Sequence, residues 1–325
     1  MRPFCRSRIA LLLLGLSTLA AAGPALAQTS GQEAAAASLL ADGDRFLAQG
    51  EPRRAVGAFE QANRVYEDRC AACFLGLSRA YTVWQRYDQA AESARAALQL
   101  SPPAELYARA ANQLGVALIL QRPPAGTASF AEAEAAFRRA LESGGEAWNA
   151  ARYNLAGLLL AAGQAGQAAS LARDYLRAEP AGPYAPEARL LACGAGRSAA
   201  SAASAAAAPA EGDFFPPSPV FRRPPALSPR ARRAGLGGGV AVQVEVDADG
   251  CVTSATLLKG LGNELDAAAV EAARGWVFTP ATAGGQPVAS DYMLTVDFGS
   301  ATDDGKEVDR QFRERVLAKW PVQSR

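Results

Sequence analysis

The sequence predicts a multidomain chain. An N-terminal all-α solenoid of helix pairs is followed by a small α+β domain, in which one helix covers an antiparallel sheet. Three observations predict this. Small and apolar residues recur about every 35 residues between Ala36 and Leu191. From Gly194 the pattern dissolves into an Ala/Ser/Pro-rich stretch. Then VAVQVEVDADGCVTSATLLKG, Val240 to Gly260, turns to strict two-residue alternation broken by Asp-Gly.

The N-terminus reads as a secretory signal over residues 1–27. Arg2, Arg6 and Arg8 form a positive n-region, Ile9 to Leu19 a short apolar core, and Ala25-Leu26-Ala27 an A-x-A cleavage site before Gln28. The alternative is an uncleaved inner-membrane anchor. A spanning helix needs about 20 apolar residues, and this run is shorter, with Pro24 close behind. The expected location is therefore the periplasm, with no integral span after cleavage.

Composition narrows the chemistry. The chain of 325 residues has a formal charge of +1, which gives no pull toward nucleic acid. It contains no histidine, which removes the commonest general base and metal ligand. No phosphate loop appears, since the glycines Gly235 to Gly239 enter a strand rather than a helix. No enzyme activity, cofactor or metal is expected. Four cysteines follow the signal: Cys70, Cys73, Cys193 and Cys251. Cys70-Ala-Ala-Cys73 has redox-motif spacing but does not follow a strand, so a structural disulfide is expected in an oxidising compartment. Cys193 and Cys251 can pair with each other, although sequence does not fix the connectivity.

The repeat has four copies. Leu39, Gly43, Phe46, Ala55, Phe59 and Ala62 align with Phe74, Ser78, Tyr81, Ala90, Ala94 and Ala97. A third copy holds Leu114-Gly115, Leu118, Ala133, Phe137 and Ala140, with an insertion around Pro123 to Gly126. A fourth holds Leu155-Ala156, Leu159, Ala168, Ala172 and Tyr175. Small residues at Gly43, Ser78, Gly115 and Ala156, and at Ala55, Ala90, Ala133 and Ala168, let paired helices approach, and aromatic residues fill the space between. One such unit cannot bury its apolar face alone, so neighbours stack.

This pattern, over residues 36–191, resembles the tetratricopeptide repeat (TPR). The resemblance implies a concave groove, lined by the first helix of each pair, that binds a peptide or a partner helix. The family's groove slots fall here on Asp44, Arg79, Arg109, Asn112 and Tyr153.

Residues 194–224 read as a tether, Ala/Ser-rich and then proline-rich, favouring extended polyproline II. Phe214, Phe215 and Phe221 are unusual in a spacer; they are expected to dock back on a domain, the alternative being a recognition segment.

In the C-terminal domain, residues 225–299, Val240, Val242, Val244 and Val246 face one way and form a half-buried strand. Asp247 to Gly250 make the hairpin turn, and Val252 to Leu258 return. Asn263 is expected to cap the next helix, with Asp266 in a capping-box position. Leu265, Ala269, Ala272 and Trp276 share one helical face. In the last strand Tyr292, Leu294, Val296 and Phe298 alternate with Asp291, Met293, Thr295 and Asp297.

These motifs resemble the C-terminal domain of the TonB family. The matching stretches are Pro229 to Arg232 with Gly235, V-x-V-x-V-D-x-D-G, Leu265 to Ala269, Trp276 to Ala281, and Gly285 to Val288. Ser228 stands where the family usually has tyrosine. The resemblance implies β-augmentation, in which a peptide of an outer-membrane transporter adds to an exposed strand. That edge is Asp291 to Phe298, with Asp291, Met293, Thr295 and Asp297 facing the ligand. Alternatively the tail, residues 300–325, covers it, since Val308, Phe312, Val316 and Leu317 form an apolar stripe at helical spacing with Trp320 just beyond.

Two functions remain open. One is a periplasmic adaptor that binds protein or peptide partners through both modules, linked to TonB-dependent outer-membrane transport or envelope assembly. The other is a divergent membrane-anchored energy transducer. The family's anchor helix carries a histidine implicated in coupling, and this chain has none.

Overall fold

A computed structural model describes residues 23–144, 147–194, 213–228, 233, 237–298, 310, 314–315 and 320–321. Most of the predicted signal, residues 1–22, lies outside the described residues, as do Pro229 to Arg232 and Gly235.

The helical module is a run of antiparallel hairpins. α1 (Gly23–Ala48) pairs with α2 (Pro52–Val65), α3 (Ala71–Val83) with α4 (Tyr87–Gln99), α5 (Ala104–Leu120) with α6 (Ala128–Ser143), and α7 (Ala147–Ala161) with α8 (Ala165–Ala178). α9 (Ala185–Gly194) packs on α8. The first helices of successive pairs also touch, α1 with α3, α3 with α5 and α5 with α7, so they form one layer of a helix-pair solenoid. α1 crosses the predicted Ala27-Gln28 junction.

The repeat residues do what their sizes require. Ala55, Ala90, Ala133 and Ala168 are buried, as are Phe59 and Phe137. The Phe59 ring lies between two glycines: a Cβ built on Gly43 or on Gly76 would come within 2.5 Å of it. One aromatic ring thus locks its own hairpin to the next, at two positions with no room for a side chain. Polar residues link the same layer. Asn154 donates to Asn112 at 2.9 Å, Gln113 donates to the Thr82 hydroxyl at 2.9 Å, and Thr82 donates to the Ser78 carbonyl at 2.8 Å.

The C-terminal domain is α+β. β3 (Gly238–Val246) pairs antiparallel with β4 (Val252–Lys259) and with β8 (Ser290–Phe298), giving the sheet order β4-β3-β8. Val240, Val242, Val244 and Val246 are fully buried beneath α10 (Asn263–Arg274). Leu265, Ala269, Ala272 and Trp276 are buried with them, as the helical spacing predicts. The cap of α10 differs by one residue. Gly262 is the N-cap with φ +83°, and Asp266 turns back to accept from the backbone N–H groups of Leu261 and Gly262.

Short strands surround this core. β5 (Val277–Thr279), β6 (Ala281–Ala283) and β7 (Gln286–Val288) precede β8, with β6 and β7 joined through Gly284-Gly285. The segment read as tether contributes two further strands. β1 (Phe214–Phe215) pairs with β6, and β2 (Ser218–Phe221) pairs with β5. The fold therefore claims this segment from residue 213 onward. The docking runs through the backbone for β1, since Phe214 and Phe215 stay exposed, whereas Phe221 packs against the solenoid core.

The two modules are joined directly. Cys193 at the end of α9 is bonded to Cys251 after the β3–β4 turn. Val277 belongs to the apolar cluster of the solenoid, and Arg173 of α8 lies 3.7 Å from Asp249. Arg189 of α9 is buried near Gly250, where desolvation lowers its pKa and Asp249 opposes that shift. Gly250 itself has φ +89°, and a Cβ there would overlap the Phe278 carbonyl, so only glycine fits.

Candidate peptide-binding edge and helical groove

The β8 strand is built by alternation. Its even residues enter the core: Leu294, Val296 and Phe298 are buried, and Tyr292 is half-buried with its ring 5.2 Å from Phe278. Asp291, Met293, Thr295 and Asp297 are all exposed, Met293 to 74%. The four predicted edge residues thus share the face opposite α10.

β8 pairs with β3 over nine consecutive residues, from Ser290↔Val246 to Phe298↔Gly238, with no register shift. Among the described residues no strand lies on its other side. The opposite edge, β4, is different. Its pairing with β3 shifts register twice, between Ala241 and Val242 and between Glu245 and Val246, and the strand ends in Lys259. Bulges and an edge lysine are devices that discourage another chain from adding. The pairing of β8 with β3 has no such register shift. That pairing also sets Asp291 directly across from Glu245, which makes that end of the exposed face acidic.

The predicted groove residues divide. Asp44 and Arg79, one repeat apart, form an ion pair at 2.8 Å on the solenoid surface. Arg109 pairs with Glu105 at 2.8 Å, also at the surface. Asn112 and Tyr153 do not face a groove, which corrects the placement by slot. Asn112 is fully buried and accepts from Asn154. Tyr153 is 1% exposed, stacked on Tyr184 with ring centroids 5.1 Å apart. Its burial, the largest cause, raises the phenol pKa well above the ordinary range. The reason is α9: it packs beyond α8, and the Tyr184 connection before it roofs the Tyr153 slot.

Both cysteine pairs are disulfides. Cys70 is the N-cap of α3, and its sulfur accepts from the Cys73 N–H at 3.0 Å. The pair is buried with Ala62 under Leu39, Leu40 and Tyr66. The bond links the N-cap of α3 to its first turn.

Of the expected tail helix, Arg310, Glu314 and Arg315 are described and are helical. Val308, Phe312, Val316 and Leu317 lie outside the described residues. Trp320 does not cover β8. It sits on α7, where its indole N–H donates to the Asn154 carbonyl at 2.9 Å.

A helical-repeat module joined to a small α+β domain is the class these features define. Residues 223–299 match the family model described as Gram-negative bacterial TonB protein C-terminal. Protein TonB of Xanthomonas campestris pv. campestris, in strains B100 and ATCC 33913, is 43% identical over 76 residues, 23% of this chain and 34% of each relative. The chain thus spans about a third of the length of those curated relatives. Among solved structures, the MamA protein is similar over 50% of this chain and 80% of its own, with 18% identity and a TM-score of 0.41. YrrB, a TPR protein with an unusual peptide-binding site, is similar over 52% of this chain and 80% of its own, with 19% identity and a TM-score of 0.39. No helix among the described residues is long and apolar enough to cross a membrane.

Proposed function

We propose that this protein is a non-catalytic adaptor of the Gram-negative periplasm. Its β8 edge takes up an extended peptide by strand addition, and its solenoid engages a second protein partner. The observation that carries the reading is the unbroken register of β8 beside the bulged, lysine-ended β4. An incoming strand would gain main-chain hydrogen bonds along β8, and alternate side chains would meet Asp291, Met293, Thr295 and Asp297. The acidic pairing of Asp291 with Glu245 favours a basic residue at that end of the ligand. The ligand class with this geometry is the N-terminal segment of an outer-membrane TonB-dependent transporter, which links the protein to envelope transport.

Binding of synthetic transporter N-terminal peptides to the full chain tests this. Thr295→Pro, which removes a backbone donor, is expected to abolish binding while the helical circular dichroism of the solenoid is kept. Asp291→Lys is expected to keep the fold and shift preference away from basic peptides. Undiminished binding by the proline variant would show that β8 is not the site. Fractionation with intact mass addresses location: a soluble species beginning at Gln28 supports the adaptor, and a membrane-bound species retaining residues 1–27 supports an anchored transducer.

A further inference from the structure

Gly157 of α7 occupies the same slot of its repeat as Asp44, Arg79 and Val116 in the three before it. The Asp44–Arg79 ion pair runs along this row. Only the fourth repeat places glycine there, so the row ends in a notch where helix backbone is bare. Trp320 fills the notch. A Cβ on Gly157 would overlap the indole Nε1 and Cδ1, so any other residue would expel the ring. The indole N–H donates to the Asn154 carbonyl at 2.9 Å, and the ring packs, partly buried, against the solenoid core. A second anchor holds the tail nearby: the Arg315 guanidinium donates to the Val220 carbonyl of β2 at 3.1 Å.

We propose that the Gly157 notch is an indole-binding site of the solenoid, and that its resident ligand is the chain's own Trp320. The site selects a flat aromatic ring by the absence of a side chain, and tryptophan by a main-chain acceptor for the ring N–H. A phenyl ring satisfies the first requirement and not the second. Because the tail is tethered, it competes at an effective concentration on the order of millimolar. A partner segment bearing tryptophan therefore gains this face only by displacing the tail.

The test uses the full chain and a fluorescent synthetic peptide of residues 310–325. The peptide is expected to bind Trp320→Ala and to bind wild type at least about tenfold more weakly, since there the notch is occupied. A peptide with phenylalanine at position 320 should bind Trp320→Ala several-fold more weakly, for want of the ring donor. Gly157→Val in the Trp320→Ala background should abolish binding. Should that double variant lose its helical signal, amide hydrogen exchange decides: Trp320→Ala alone should accelerate exchange in α7 relative to wild type and leave α1 to α4 unchanged. Equal peptide binding to wild type and Trp320→Ala, no binding to either, or unchanged exchange in α7 would overturn the proposal.

Discussion

Cys193, the penultimate residue of the last solenoid helix, is covalently bonded to Cys251, one residue beyond the turn of the β3–β4 hairpin. Beside it lie Arg173 near Asp249, buried Arg189, and Val277 in the solenoid core. The covalent bond and these contacts together tie the small domain to the end of the solenoid. Replacing both cysteines with serine opens a loop of 58 residues and is expected to lower stability by roughly 2–4 kcal/mol, by restoring chain entropy to the unfolded state. Calorimetry is expected to show one transition for the wild type and two for the variant, one for each module. A single transition at the wild-type temperature would show that the noncovalent contacts suffice.

Trp276 marks how much of the small domain was legible. Its helical spacing from Leu265, Ala269 and Ala272 predicts a core position, and it is 7% exposed there, with its indole N–H donating to the Arg223 carbonyl at 3.1 Å. Trp276→Ala should therefore cost roughly 3–5 kcal/mol through the cavity it leaves, with the lost hydrogen bond included in that range. Thermal melting followed at the C-terminal domain checks this, and an unchanged melt would place the ring outside the core.

What the sequence showed well was everything set by local periodicity. The alternation of Val240 to Val246 and of Asp291 to Phe298 follows from the two-residue period of a strand, and each residue faces the expected way. The repeat alanines and Phe59 follow from helix spacing in the same manner. What it concealed were meetings between distant segments. β1 and β2 are recruited from proline-rich chain by backbone pairing, for which Phe214-Phe215 and Phe221 were the visible hints. Tyr153 and Asn112 occupy groove slots by counting, yet Tyr184 and Asn154 bury them. Gly157, a glycine breaking an otherwise filled row, was the available signal for the Trp320 site.

Asp247 gives a pH-dependent prediction with a definite sign. The residue is 7% exposed, and one carboxylate oxygen accepts the backbone N–H groups of Asp249 and Cys251 at 3.0 and 2.8 Å. Desolvation is the largest influence and raises its pKa, Asp249 adds to the rise, and the backbone donors oppose it. The folded protein therefore holds this proton more tightly than the unfolded chain does. Over the window between the ordinary aspartate value, about 3.9, and the raised folded value, the folded state binds more protons, so stability falls as pH rises. Asp247→Asn keeps an acceptor for both N–H groups and removes the titration. The variant should match the wild type, or fall slightly below it, at pH near 3. It should gain on the wild type as pH rises toward 7, read as the difference between two melting curves at each pH. A difference that stays constant across that range, or that grows on acidification, would show that the donors of Asp249 and Cys251 outweigh desolvation and that the turn is stabilised by the charge it buries.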